Sequence, residues 1–301
     1  MRTRPNLTHA IALLSVLVLS AIYSCSKERS QIGTDEQEEL VSRTSTEADA
    51  EAETLYNEFF DDVMGVNNDV GVSGSGIFYG RTDSLNPVPR CFTVTVERLT
   101  PDPFPVKVTI DFGTTGCPGP DGRVRKGKMI TIYSNRLTVP GAVATTTFER
   151  FFVDNVNVQG TYKVSNITIP PIRKFKIEVI NGKLLQPNGN YVEWNSVRTV
   201  TQIEGNGTPE MPRDDVFKIE GSANGVVKRD SLLVRWESTI VEPLIRRFTC
   251  RWIVKGTVKA IRANLPPGST RWIGVLDFGT GACDNQATLT VNGISRQITL
   301  P

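Results

Sequence analysis

Histidine is almost missing from this chain of 301 residues: there is one, His9. It falls in an N-terminal stretch that reads as a removable leader, so the protein left after processing has none. That excludes Ser-His-Asp and Cys-His sites, a His-ligated zinc and a His general base. Carboxylate, Lys, Tyr or oxygen-ligated metal chemistry is what remains for catalysis. Net charge is scarce too: 34 Lys+Arg against 32 Asp+Glu leave +2, which gives no footing for a nucleic-acid partner. No apolar run reaches the ~20 residues of a membrane-spanning helix. The longest, Ile11 to Tyr23, falls short.

That short run is informative in its place. Arg2 and Arg4 precede it and Ile22-Tyr23-Ser24-Cys25 closes it. This is the layout of an export signal, and a small residue directly before Cys resembles a bacterial lipobox. The resemblance implies cleavage after residue 24 and acylation of Cys25. Each buried CH₂ contributes about 0.8 kcal/mol, so more than one acyl chain anchors stably.

With residues 1–24 removed, two segments of opposite charge remain. Residues 26–69 carry 13 acidic and 3 basic residues, and residues 70–301 carry 29 basic and 19 acidic. The first (25–69 with its Cys) has the composition of an extended, self-repelling, disordered tether. Its last part carries Leu55, Phe59, Val63 and Met64 at helical spacing, which predicts a short helix docking on the globular part.

Residues 70–301 read as all-β. Alternating runs such as FTVTVER (92–98), VKVTIDF (106–112), KMITIYS (128–134) and YVEWNSVRTVTQI (191–203) recur, with turn residues between them. The Asn-Gly pairs at Asn181, Asn188, Asn224 and Asn292 are read as hairpin turns. The expected architecture is an antiparallel meander of many strands, forming a sandwich or an open barrel. It contains a duplication: segments 91–117 and 250–283 each run Cys, strand, Pro-rich turn, strand, Asp-Phe-Gly-Thr, Cys. Cys91, Cys117, Cys250 and Cys283 allow three pairings in an oxidising compartment, and the repeat favours Cys91–Cys117 with Cys250–Cys283.

Several motifs invite chemistry. Asp111 and Asp277 each open an Asp-Phe-Gly, but the other parts of a kinase or an actin-like ATPase are missing. An aspartic-protease-like dyad would need Thr or Ser where Phe112 and Phe278 stand, so the Asp-Gly pair is read as shaping a turn. Arg123, Arg125, Lys126 and Lys128 form a basic hairpin and are the candidate ligand-binding residues, facing an anionic glycan or headgroup. Arg173, Lys174, Lys176, Arg246, Arg247 and Arg251 are further basic clusters. Trp194, Trp236, Trp252 and Trp272 are read as core. Glu210, Asp214 and Asp215 lack the spacing of a calcium loop, so no metal and no cofactor is expected. Asp83-Ser84-Leu85 and Asp230-Ser231-Leu232 resemble a glycosylation tripeptide, one so short that chance is the better explanation.

The run Cys117…Gly-Pro-Asp-Gly-Arg…Gly127-Lys128, then Cys250-Arg251-Trp252-Ile253-Val254, Asp277-Phe278-Gly279 and Cys283-Asp284-Asn285-Gln286-Ala287-Thr288, resembles a family of uncharacterised Bacteroidota lipoproteins. The resemblance brings no activity. It implies an outer-membrane location, with the leaflet open. The sequence therefore predicts a lipid-anchored envelope protein, a non-enzymatic binding or structural β-module whose partners are the membrane and a glycan or another envelope protein. The opposing reading is a carboxylate-based hydrolase, aspartic-protease-like or glycan-acting.

Overall fold

A computed structural model describes residues 35–69, 91–119, 122–208, 212–263, 265 and 272–300. Alternation of apolar and polar residues gives long antiparallel strands, paired in almost unbroken chain order. They are β1 (Thr93–Arg98), β2 (Val106–Asp111), β3 (Cys117–Pro118), β4 (Val124–Tyr133), β5 (Val143–Val153), β6 (Val156–Asn166), β7 (Lys174–Leu185), β8 (Tyr191–Glu204), β9 (Val216–Arg229), β10 (Leu232–Arg247), β11 (Lys255–Arg262), β12 (Ile273–Thr280), β13 (Gln286–Val291) and β14 (Ile294–Thr299). All belong to one 14-stranded sheet, with β3 as a spur on β4. Among the described residues β1 and β14 stay unpaired with each other, so the expected choice between sandwich and open barrel resolves to a single open sheet.

The acidic segment is not a tether from residue 35 onward. Asp35–Asp69 is one α-helix, α1, and the sheet curls around it. Ala52 to Val63 are buried without interruption. At about 100° per residue those twelve positions cover every face of the helix, so no side of it meets water. The expected stripe is there: Leu55, Phe59 and Val63 are buried. Opposite faces touch opposite parts of the sheet. Tyr56 stacks on Trp194 of β8 (5.4 Å), Phe59 meets Phe151 of β5 (5.9 Å), and Phe60 meets Phe217 of β9 (5.5 Å).

The curl comes partly from β-bulges, which bend a strand and increase its twist. In β6 and β7 the register shifts between Gln159 and Thr161 and again between Val179 and Gly182. Gly160 has φ +106° there, and a Cβ on it would lie 2.5 Å from the Asn181 carbonyl oxygen, so only glycine fits. The inward set of β7 switches from Phe175, Ile177 and Val179 to Gly182 and Leu184 across this bulge. Asn181-Gly182 is therefore a bulge inside a strand, not a turn, and Asn224-Gly225 lies mid-strand in β9. The Asn188 and Asn292 pairs do form turns, and both duplicated hairpins close with the favoured disulfides, Cys91–Cys117 and Cys250–Cys283. Closed loops of this size contribute roughly 3–4 kcal/mol each in the chain-entropy model.

Candidate functional site

The most buried ion pairs lie between α1 and the sheet. Glu53 accepts two hydrogen bonds from the Arg198 guanidinium, at 3.0 and 2.6 Å, with both side chains 3% exposed. Glu58 gathers Arg123 (3.3 Å), Arg125 (3.5 Å) and Arg251 (3.0 Å). Arg246 pairs with Asp61 and donates to the Asn57 carbonyl at 3.0 Å. Towards the start of the helix Glu51 pairs with Arg229, Glu38 with Arg262 and Glu39 with Arg296. A buried ion needs a close partner and further hydrogen bonds to offset its desolvation. Here the acidic segment and the basic domain supply one another.

Asp49 has a different environment. One oxygen accepts hydrogen bonds from the Trp194 indole (2.8 Å), the Trp236 indole (3.1 Å) and the Ser238 hydroxyl (2.9 Å). Full burial pushes its carboxyl above the usual range, against the pull of Arg198 and the indoles. Asp215, beside the other end of the sheet, is pushed up to about 7, first by burial and then by neighbouring Asp214.

The basic hairpin expected to face a ligand is corrected by this arrangement. Arg123 and Arg125 are 8% and 2% exposed and turn inward to Glu58, so their charge is neutralised within the fold. Lys128 points outward and lies 3.4 Å from Asp111, and Lys126 is half-buried. The structure does not bring the four together as a ligand-facing set. Arg246 and Arg251 are also spent on α1. Asp111 and Asp277 each accept a hydrogen bond from the backbone N–H two residues on, at Gly113 (2.9 Å) and Gly279 (2.8 Å), the turn-shaping role expected. Trp194, Trp236 and Trp272 are buried in the core, and Arg251 lies over the Trp252 ring. Asp214 accepts from Thr208, and Glu210, Cys25 and Asp83 to Leu85 lie outside the described residues. Among the described residues no cluster of acidic or sulfur side chains could hold a metal.

Sequence reasoning missed a polar depression on the outer face of β8, β9 and β10. Its volume is about 420 Å³, and its lining includes Glu193, Asn195, Asn224, Arg235 and Glu237. Register puts Asn195 opposite Asn224, and Asn224 opposite Glu237. Glu193 is held by Lys183 at 2.9 Å, and Asn195 accepts from the Asn181 N–H at 2.7 Å. Asn195 and Asn224 lie 29 positions apart and Asn224 and Glu237 lie 13 apart, and they become neighbours only through strand pairing, so no local signal marks them. Set against protein families, curated proteins and solved structures, the chain matches none.

Proposed function

We propose that this is a lipid-anchored envelope protein whose β-body is a non-enzymatic binding or structural module. One observation carries the reading: α1, with its carboxylates paired to buried arginines, fills the concave side of the sheet. A curled sheet would otherwise offer that side to a ligand or substrate. Recognition is thereby moved to the outside, where the β8–β10 depression presents amides, a guanidinium and carboxylates. The hydrolase reading finds less support, since Asp111 and Asp277 are each committed to their own turn.

Anchoring rests on the lipobox-like Ile22-Tyr23-Ser24-Cys25. Nine residues, Ser26 to Thr34, separate Cys25 from α1. Ten residue steps span at most about 36 Å, so the body stays near its bilayer instead of swinging on a forty-residue tether. No helix among the described residues is long and apolar enough to cross a membrane.

Fatty-acid labelling in the native host tests the proposal. The wild type should incorporate label and sediment with outer membranes, and Cys25→Ser should lose the label and leave that fraction. An unlabelled wild type, or a labelled Cys25→Ser variant, overturns it.

A further inference from the structure

Loops rimming the end of the sheet near the C-terminal part of α1 carry exposed aliphatic side chains held in a rigid setting. The β4–β5 loop exposes Val139, and the β6–β7 loop exposes Ile167, Ile169 and Ile172, with Ile169 82% exposed. The two loops are joined. Buried Asn166 donates its side-chain amide to the Leu137 carbonyl (2.6 Å), and the Gly141 N–H donates to the Asn166 carbonyl (2.8 Å). Within the β6–β7 loop, Thr168 donates its N–H to the Asn166 side chain (2.9 Å), and the Lys174 N–H donates to the Thr168 hydroxyl (3.0 Å). Ile169 and Ile172 bridge each other across Pro170-Pro171. Presenting these isoleucines to a partner therefore needs little further ordering, which is what preorganisation contributes to binding.

The charges within these loops have one sign. Residues 134–142 and 167–173 contain Arg136 and Arg173 and not one Asp or Glu, and Lys174 and Lys176 follow at the start of β7. Acids lie just outside: Glu178 pairs with Lys176 (2.7 Å), and Asp215 lies beside Arg173. Exposed aliphatic side chains flanked in sequence by cations, with no acid in the same loops, fit an anionic bilayer surface: the apolar tips enter the acyl boundary and the cations meet phosphate headgroups.

We propose that the Val139/Ile167/Ile169/Ile172 tip is a second membrane contact, a wedge entering the interface of an anionic bilayer. The proposal rests on the lipid-anchored reading for which bilayer it meets. Tyr133, just before the first loop, donates its hydroxyl to the Val63 carbonyl, and Phe175, just after the second, packs on Phe60. The tip thus lies about 42 Å along α1 from Asp35. The linker from Cys25 reaches at most about 36 Å. Anchor and wedge can share one bilayer only when α1 tilts away from the membrane normal, so the wedge constrains the orientation of the whole protein.

Two arms test this separately. The full chain with Cys25→Ser is mixed with phosphatidylethanolamine–phosphatidylglycerol vesicles and with phosphatidylcholine vesicles, and co-sedimentation is measured. Binding to the anionic vesicles is expected, falling tenfold or more in Ile169→Asp/Ile172→Asp, whose exposed sites leave the thermal midpoint unchanged. In the second arm the lipidated protein carrying Ile169→Trp is reconstituted with brominated-chain lipid. Quenching of the added indole is expected. Equal sedimentation of wild type and double variant overturns the wedge, as does an added indole that stays unquenched. A dimer in solution that Ile169→Asp dissolves, without vesicle binding, also overturns it in favour of self-association. Loss of acylation at Cys25 in the native host would defeat the anchoring proposal alone and leave the vesicle arm as it stands.

Discussion

Glu53 and Arg198 show what a single side chain is worth in this interior. Both are 3% exposed, and two guanidinium N–H groups of Arg198 donate to one carboxylate oxygen of Glu53. Removing one partner leaves an uncompensated charge in a dry site, at a cost of roughly 3–5 kcal/mol. Glu53→Ala should therefore lower the urea midpoint steeply, whereas Glu53→Leu/Arg198→Met should recover most of the loss. Equal damage from single and double variants would show that packing, not charge, dominates the site. Asp215 makes a pH-dependent counterpart. Folding raises its carboxyl from 3.8 to about 7, mainly by burial, with Asp214 and Asp61 adding to the rise and Arg173 and Arg246 opposing it. Between about pH 4 and pH 7 the native state holds a proton that the unfolded chain has released, so this group's contribution to stability declines as pH rises and is level above that window. Asp215→Asn keeps an acceptor for the Gln202 amide (2.6 Å) and does not ionise. The difference in thermal midpoint, variant minus wild type, should grow from pH 4 to pH 7 and then stay constant. A flat difference would show that Asp215 titrates normally.

At the scale of elements, α1 and the bulged strands separate what is legible in a sequence from what is not. Local periodicity marks β2, β4 and β8 plainly, because their burial follows the alternation of their own residues. It also marks Leu55, Phe59 and Val63. It cannot mark the rest of α1, whose acidic residues look like a disordered run until arginines 65 to 257 positions later come beside them. The same distance hid the fate of Arg123 and Arg125, since nothing near them in the chain announces Glu58. Asn181-Gly182 misled for a related reason: positive φ serves a bulge as well as a turn, and only the pairing of β6 with β7 decides between them. Helix and sheet approach closely at Gly274 in β12, where an added Cβ would lie 2.0 Å from the Thr46 hydroxyl and 3.4 Å from the Ser42 carbonyl oxygen. Gly274→Val should destabilise by about 1–3 kcal/mol through overpacking, and Thr46→Ala should restore part of that. No rescue would mean that the strand, rather than the helix contact, rejects the larger residue.

For the whole molecule, the near-zero net charge is the sum of an acidic segment enclosed by a basic one. Such an assembly resists salt more than surface pairs do, because the pairs of Glu53 with Arg198, Glu58 with Arg125 and Asp61 with Arg246 are shielded from the screening solvent. It also means that α1 is held by its surroundings more than by the chain that joins it to β1. Tyr56, Phe59, Phe60 and Val63 are buried among strands β4 to β9, and paired carboxylates occupy the remaining faces. Cutting the chain between α1 and β1 should therefore leave the body intact. A specific protease site inserted at residue 80, between α1 and β1 in the sequence, allows the test. After cleavage of the native protein, the fragment bearing residues 35–69 should co-elute with residues 91–301 on gel filtration at both low and high salt. It should separate only in denaturant, and Glu53→Ala should bring that release to a lower denaturant concentration. Release of the fragment under native conditions would mean that the connection through residues 70–90, and not the buried pairing, keeps the helix in place.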